Sequence, residues 1–173
     1  MSIANIPEII NDFNVYKGGS KLIGVSDEVT LPDFEAMTET ISGAGIAGEY
    51  ETTNPGHFSS IEMEVPFRVL YGDIFQMLDT TKIIDLTMRG SVQVTDGTGT
   101  KSHVGMRVAV RGSTKKISGG SLKAGSPMSS SVTLEVTYIK IENNGKTALE
   151  LDKLNEVYKV NGVDVLAKIK EMC

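Results

Sequence analysis

Ile84-Asp85-Leu86-Thr87-Met88-Arg89-Gly90-Ser91-Val92-Gln93-Val94 leads into the turn Asp96-Gly97-Thr98-Gly99, and Val104-Gly105-Met106-Arg107-Val108-Ala109-Val110-Arg111 follows shortly after it. In the first arm the even positions Ile84, Leu86, Met88, Val92 and Val94 are apolar, while Asp85, Thr87, Arg89, Ser91 and Gln93 alternate with them. A period of two places the apolar set on one face of a strand. Asp-Gly closes a hairpin, because such turns require backbone conformations that glycine adopts without strain. The second arm continues the alternation with Val104, Met106, Val108 and Val110 against His103, Arg107 and Arg111. The pair therefore reads as an antiparallel hairpin with one buried and one solvated face.

The same pattern extends outward. In Ser60–Val69 the odd positions Ile61, Met63, Val65, Phe67 and Val69 are apolar, and Ser60, Glu62, Glu64 and Arg68 lie opposite. Val132, Leu134, Val136 and Tyr138 alternate with Thr133, Glu135 and Thr137, and then Ile139 and Ile141 appear on the formerly polar face. That slip predicts a bulge or a change of sheet. Phe13–Lys17, Gly18-Gly19 and Lys21–Val25 read as a further hairpin, and Val29–Ile41 as a bent or edge strand interrupted by Pro32. Gly72–Leu78 predicts a short helix with Ile74, Phe75 and Leu78 on one side. Val163–Met172 predicts a terminal helix with Val165, Leu166 and Ile169 on one stripe. Ser42–Phe58, Ser113–Met128 and Asn143–Lys146 are left as loops, the first two longer than a compact domain needs.

The 173 residues suffice for one domain with a core of its own. A hydrophobic share of 40% and a charged share of 23% exclude wholesale disorder. The single cysteine, Cys173, excludes an internal disulfide and a cysteine-rich zinc site. Residues 1–14 have no basic start, and Pro7 and Glu8 interrupt their apolar residues, unlike a signal peptide. No apolar run approaches the length of a spanning helix. An intracellular-type soluble domain is expected. The net charge of −5 argues against a surface that binds nucleic acid throughout.

That average conceals a segregation. Leu22–Phe67 contains no Lys or Arg but holds Asp27, Glu28, Asp33, Glu35, Glu39, Glu49, Glu51, Glu62 and Glu64. Gly97–Leu134 contains no Asp or Glu but holds Lys101, Arg107, Arg111, Lys115, Lys116 and Lys123. The blocks either pair on neighbouring strands of one subunit or attract the next copy of the chain.

Candidate chemistry is sparse. Gly43-Ala44-Gly45-Ile46-Ala47-Gly48 matches the dinucleotide-binding glycine string, but that chemistry needs a helix N-terminus to hold the pyrophosphate. Here the acidic, turn-rich Glu49–Gly56 follows instead, so a loop is the better reading. His57 and His103 have no ligand-like spacing, and no nucleophile-elbow string is present. Glu62 and Glu64 share a strand face as paired carboxylates would, yet a solvated face explains them. Ser113–Met128 could contact phosphate but lacks the aromatics that single-strand binders stack on. No enzyme, cofactor or metal site is expected.

Several strings, taken in order, resemble the major tail tube proteins of contractile-tailed bacteriophages. They are Val29-Thr30-Leu31-Pro32 leading to Gly43-Ala44-Gly45, and Val108-Ala109-Val110-Arg111-Gly112 followed by Lys115-Lys116. The most specific set is Val136-Thr137-Tyr138, the hairpin Asn144-Gly145-Lys146, Leu149-Glu150-Leu151-Asp152, and Tyr158-Lys159-Val160-Asn161-Gly162-Val163-Asp164. The similarity spans roughly Asp12 to the C-terminus. Tube proteins of contractile phage-tail-like bacteriocins are similar too.

The resemblance implies a mainly β single domain over 1–173, an antiparallel β-barrel or β-sandwich with a short flanking helix and a C-terminal helix. It implies six-membered rings stacked into a hollow tube inside a sheath, in a virion tail or tail-like particle assembled in the host cytoplasm. Its partners would be further copies, the sheath protein, baseplate and tail-terminator proteins, and DNA passing without specific binding. Segments 42–58 and 113–128 would be inter-subunit arms, with Gly43, Gly45, Gly48, Glu49, Glu51, Lys115, Lys116 and Lys123 as assembly residues. The competing expectation is a monomeric β-barrel binding or adaptor module that uses the long loops.

Overall fold

In the computed structural model, which describes residues 5–173, the first four residues of the expected domain lie outside the description. The deciding hairpin is strands β6 (Ile84–Thr95) and β7 (Lys101–Ser118), paired without interruption from Ile84 opposite Gly112 to Thr95 opposite Lys101. Asp96 closes it. Its carboxylate accepts the Thr98 hydroxyl at 2.6 Å and the N–H groups of Thr98 and Thr100 at 2.8 and 3.0 Å. Those donors, the Thr98 hydroxyl foremost, hold the carboxyl below its ordinary range.

Around this pair stand β1 (Ile6–Lys17), β2 (Ser20–Lys21), β8 (Ser130–Asn143), β9 (Lys146–Asp152), β10 (Val157–Val160) and β11 (Val163–Asp164). The sheet runs β11-β10-β9-β8-β7-β6-β1-β2, all neighbours antiparallel. It is not closed into a barrel. Strand β5 (Glu62–Phe67) pairs with the first half of β8, residues 130–135, while β9 pairs with residues 138–143. Thus β8 exchanges partners along one edge, giving a sandwich-like antiparallel fold.

The expected register slip lies at this exchange. Arg111 faces Tyr138, but Gly112 faces Val136, so Thr137 is the extra residue of a bulge. The bulge lets Val136 and Ile139 both enter the core. Gly112 fits because a Cβ there would overlap the carbonyl oxygen of Glu135. The core combines Ile61, Met63, Val65 and Phe67 of the β5 region, Leu86 and Met88, Val108 and Val110, and Val132, Leu134 and Ile139.

Four local expectations are corrected. Segment 42–58 is not a loop: β3 (Ala36–Ser42) and β4 (Glu49–Phe58) form a separate two-stranded sheet, turning at 43–48. Its apolar alternation is absent because neither face is buried in the core. Segment 113–128 is strand as far as Ser118, where β7 continues alongside β8 past a bulge at Lys115. Gly72–Leu78 is a 3₁₀ helix, whose three-residue period buries Ile74 and Met77 and leaves Phe75 54% exposed. The expected helix over Val163–Met172 is one turn, α1 (Ala167–Lys170). Asn161 and Gly162 take left-handed conformations and fold Val163–Asp164 back on β10 as β11.

Two further stretches differ in extent. In Val29–Ile41 only the part from Ala36 is strand, and Pro32 is buried. The Asn143–Lys146 connection is a two-residue turn, with Asn144 and Gly145 both at positive φ.

Candidate assembly surfaces

The β3–β4 hairpin pairs only with itself. At its tip Gly43, Gly45 and Gly48 adopt positive φ with open space around them, so conformation rather than crowding requires glycine. Glu49 and Glu51 stand opposite Ser42 and Thr40, both exposed, and Glu39 is exposed on β3. These three carboxylates have no ion-pair partner among the described residues. Met37 and Tyr50 are also more than half exposed on the hairpin.

Its root is held. Between the pairs Ala36–Phe58 and Thr38–Thr53, residues 54–57 form an insertion opposite Met37. Gly56, at φ +76°, receives the Leu166 side chain so closely that a Cβ would lie 2.8 Å from it. Phe58 meets Phe34 and Tyr158 edge to face, with centroids at 6.3 and 5.2 Å. Lys153 Nζ donates to the Ser59 carbonyl at 2.6 Å.

The basic block divides in two. The Lys115 ammonium donates to Glu62 and lies 3.4 Å from Glu135, two carboxylates that face each other across β5 and β8. The Glu62 hydrogen bond above all raises the Lys115 pKa. Burial pushes the Glu135 carboxyl up, but the Ser60 hydroxyl and Lys115 outweigh it and hold it below the ordinary range. Lys115 is therefore engaged within its own subunit. Lys116 and Lys123 are exposed and have no ion-pair partner among the described residues. The segment after β7 closes on itself: Ser121 N–H donates to Met128 O at 2.9 Å, and Ser126 N–H to Lys123 O at 3.2 Å.

The polar face of the main sheet carries both signs in adjoining rows. Arg107 lies 3.6 Å from Glu142, Lys140 2.8 Å from Glu142, and Lys159 3.8 Å from Glu150. Arg111 stacks over Tyr138 at 3.9 Å, and Arg89 over Tyr16 at 5.1 Å. Sequence reasoning named these arginines without finding their partners. His103 Nδ1 lies 3.1 Å from Asn11 Oδ1, and His57 sits exposed in the hairpin insertion. No cluster of three or more His, Cys, Asp or Glu that could hold a metal occurs among the described residues.

The profile of the family described as "Phage tail tube protein FII" matches residues 7–172. This chain belongs to the phage tail tube protein family. The resemblance read from the ordered strings thus holds over nearly the whole length. The tail tube protein of Escherichia phage P2 is 29% identical over 164 residues, covering 93% of this chain and 94% of the relative. The major tail tube protein of Serratia phage KSP20 is 28% identical over 157 residues, covering 91% and 90%. In fold, this tail tube chain is similar to the sheath/tube terminator of an extracellular contractile injection system, PVC, solved in the extended state. That likeness has a TM-score of 0.57 at 16% identity and covers 79% of this chain and 96% of the other. The family is structural rather than enzymatic, and its phage members are components of contractile virion tails.

Proposed function

We propose that this tail tube protomer assembles into six-membered rings that stack into the hollow inner tube of a contractile tail. The observation that carries the reading is the β3–β4 hairpin, a two-stranded sheet separate from the main one, with Glu39, Glu49 and Glu51 unpaired among the described residues. An isolated hairpin is marginal in water, so docking on another copy supplies burial that its own subunit does not. Gly43, Gly45 and Gly48 shape its tip, and Glu49 and Glu51 offer charge to a neighbour. Lys116 and Lys123 are the free cations of the second arm, and Lys115 fixes the strand that presents them. Opposite signs on separate surfaces of one chain favour a heterologous contact that repeats. Ring size comes from the resemblance.

In this reading the sheath protein surrounds the tube, terminator and baseplate proteins cap its ends, and DNA passes through the bore without specific binding. The tube works mechanically, as a stiff conduit driven forward by sheath contraction.

Electron microscopy of the purified protein tests this. Rings or tubes are expected, whereas a monomer at every concentration and ionic strength would favour the adaptor-module reading. Joining residue 39 to residue 52 removes the hairpin tip. The subunit should stay folded, because the tip contributes nothing to the core, and tubes should be lost. Normal tubes from that variant would overturn the arm role of the hairpin.

A further inference from the structure

The hydrophobic core is not covered over its whole extent. Between β1, β6 and β7 on one side and residues 22–31 on the other lies an open cleft of about 790 Å³. Met88, Met106 and Val108 form its floor, and Val25, Val29 and Leu31 its wall. The floor is continuous with the buried core. Asp12, Asp27, Glu28 and Lys21 stand on its rim, and Asp27 is shared with Arg68. Glu28 is exposed and has no ion-pair partner among the described residues. An apolar surface of this kind on a self-associating chain calls for a cover, and thioether side chains in the floor adapt to the shape of an inserted group.

The same chain carries a group suited to it. Leu122 is 88% exposed, the highest value among the large apolar residues described. It is not a floppy residue. The hydrogen bonds from Ser121 to Met128 and from Ser126 to Lys123 close residues 121–128 into a defined tip. Met128 N–H is tied to Arg68 O at 2.7 Å, and Gly120 lies so near Met128 that a Cβ would overlap its carbonyl oxygen. The tip thus presents an apolar knob next to the free cation Lys123 at little further ordering cost. Charge sign selects this knob over the other protruding element, since the β3–β4 hairpin carries Glu39, Glu49 and Glu51 toward an acidic rim.

We propose that Leu122 and Lys123 of one copy dock into this cleft of a second copy. Leu122 would sit on the surface of Met88, Met106 and Val29, and Lys123 beside Glu28. The proposal rests on the self-assembly reading above and assigns it a particular contact. It also gives the segregated charges a role, because Asp27 and Glu28 lie in the acidic stretch and Lys123 in the basic one.

The test uses the full chain with Cys173→Ser. One preparation carries Leu122→Cys and another Val29→Cys, and the two are mixed, assembled and oxidised. Disulfide-linked dimers are expected from the mixture and from neither preparation alone. Tubes that form normally without that cross-link overturn the contact but leave the tube reading standing. A cross-link within one chain, seen when both substitutions share a dilute monomer, also overturns it, because the loop then covers its own cleft.

Independently, Leu122→Asp should keep a native monomer spectrum and raise the concentration needed for assembly by about tenfold or more. Unchanged assembly would count against the contact. Glu28→Lys should impair assembly, and Lys123→Glu in the same chain should restore it; an unimpaired single variant, or impairment without rescue, overturns the pairing. Failure of the unsubstituted protein to form rings or tubes would overturn the tube reading itself.

Discussion

Gly112 sits on β7 where a Cβ would lie 2.2 Å from the Glu135 carbonyl oxygen of β8, beside the bulge that lets β8 change partners. A methyl group there has nowhere to go but into the carbonyl of Glu135, which belongs to a neighbouring strand and cannot swing aside. Gly112→Ala should therefore lower the stability of the subunit by about 1–3 kcal/mol, the usual cost of overpacking a filled interior. Urea denaturation of the monomer measures this, and an unchanged midpoint would show that the bulge relaxes freely. Lys115 teaches a different lesson at the same scale. The sequence shows it as one half of a Lys115-Lys116 pair, with nothing to tell the two apart. The bulge at Lys115 separates them, holding one ammonium between Glu62 and Glu135 and leaving the other in solvent. Which charges are consumed inside a subunit depends on cross-strand register, and no spacing along the chain encodes that.

The legible elements are those with one face in the core. Strands β5 and β6, the first part of β7 and β8 carry a period of two because burial selects every second side chain, and the slip at Ile139 marks the bulge for the same reason. The β3–β4 hairpin is hidden because neither of its faces is buried in the core, so burial does not select every second side chain there. The end of the chain misled in the opposite way. Val165, Leu166 and Ile169 have helical spacing, yet the Asn161-Gly162 turn commits the preceding residues to a strand first. What Leu166 does instead is seat on Gly56 and brace the hairpin at its root. Leu166→Ala should weaken that brace by about 1–2 kcal/mol, since the side chain is only partly buried. Amide exchange at residues 38–53 should then quicken by about tenfold or more, while β6 and β7 stay protected. Equal protection in both proteins would mean that the hairpin holds its own direction.

At the scale of the whole molecule, charge is what distinguishes a conduit from a binder. A DNA duplex held by several unpaired lysines or arginines would stick to the wall, because each phosphate neutralised releases a counterion and tightens the hold. The polar face of the main sheet is built to avoid that. Its cations Arg89, Lys101, Arg107, Arg111, Lys140 and Lys159 are matched in number by Glu8, Asp85, Glu142, Glu150, Asp152 and Asp164. Two of the arginines stack on tyrosine rings, and the third lies near Glu142, so none presents a bare guanidinium. Lys115, Glu62 and Glu135 add one further negative charge at the edge of this face. If this face lines the bore, each subunit contributes a wall that is neutral to slightly acidic, and sixfold repetition cannot turn it basic. The bore of an assembled tube should accordingly be net neutral to acidic, with its wall formed by β1 and β6 to β11. A tube reconstruction at side-chain resolution measures both points at once. A net basic bore would remove the argument that DNA slides through without being held. A bore lined by other residues would leave this balanced face with some other surface to meet.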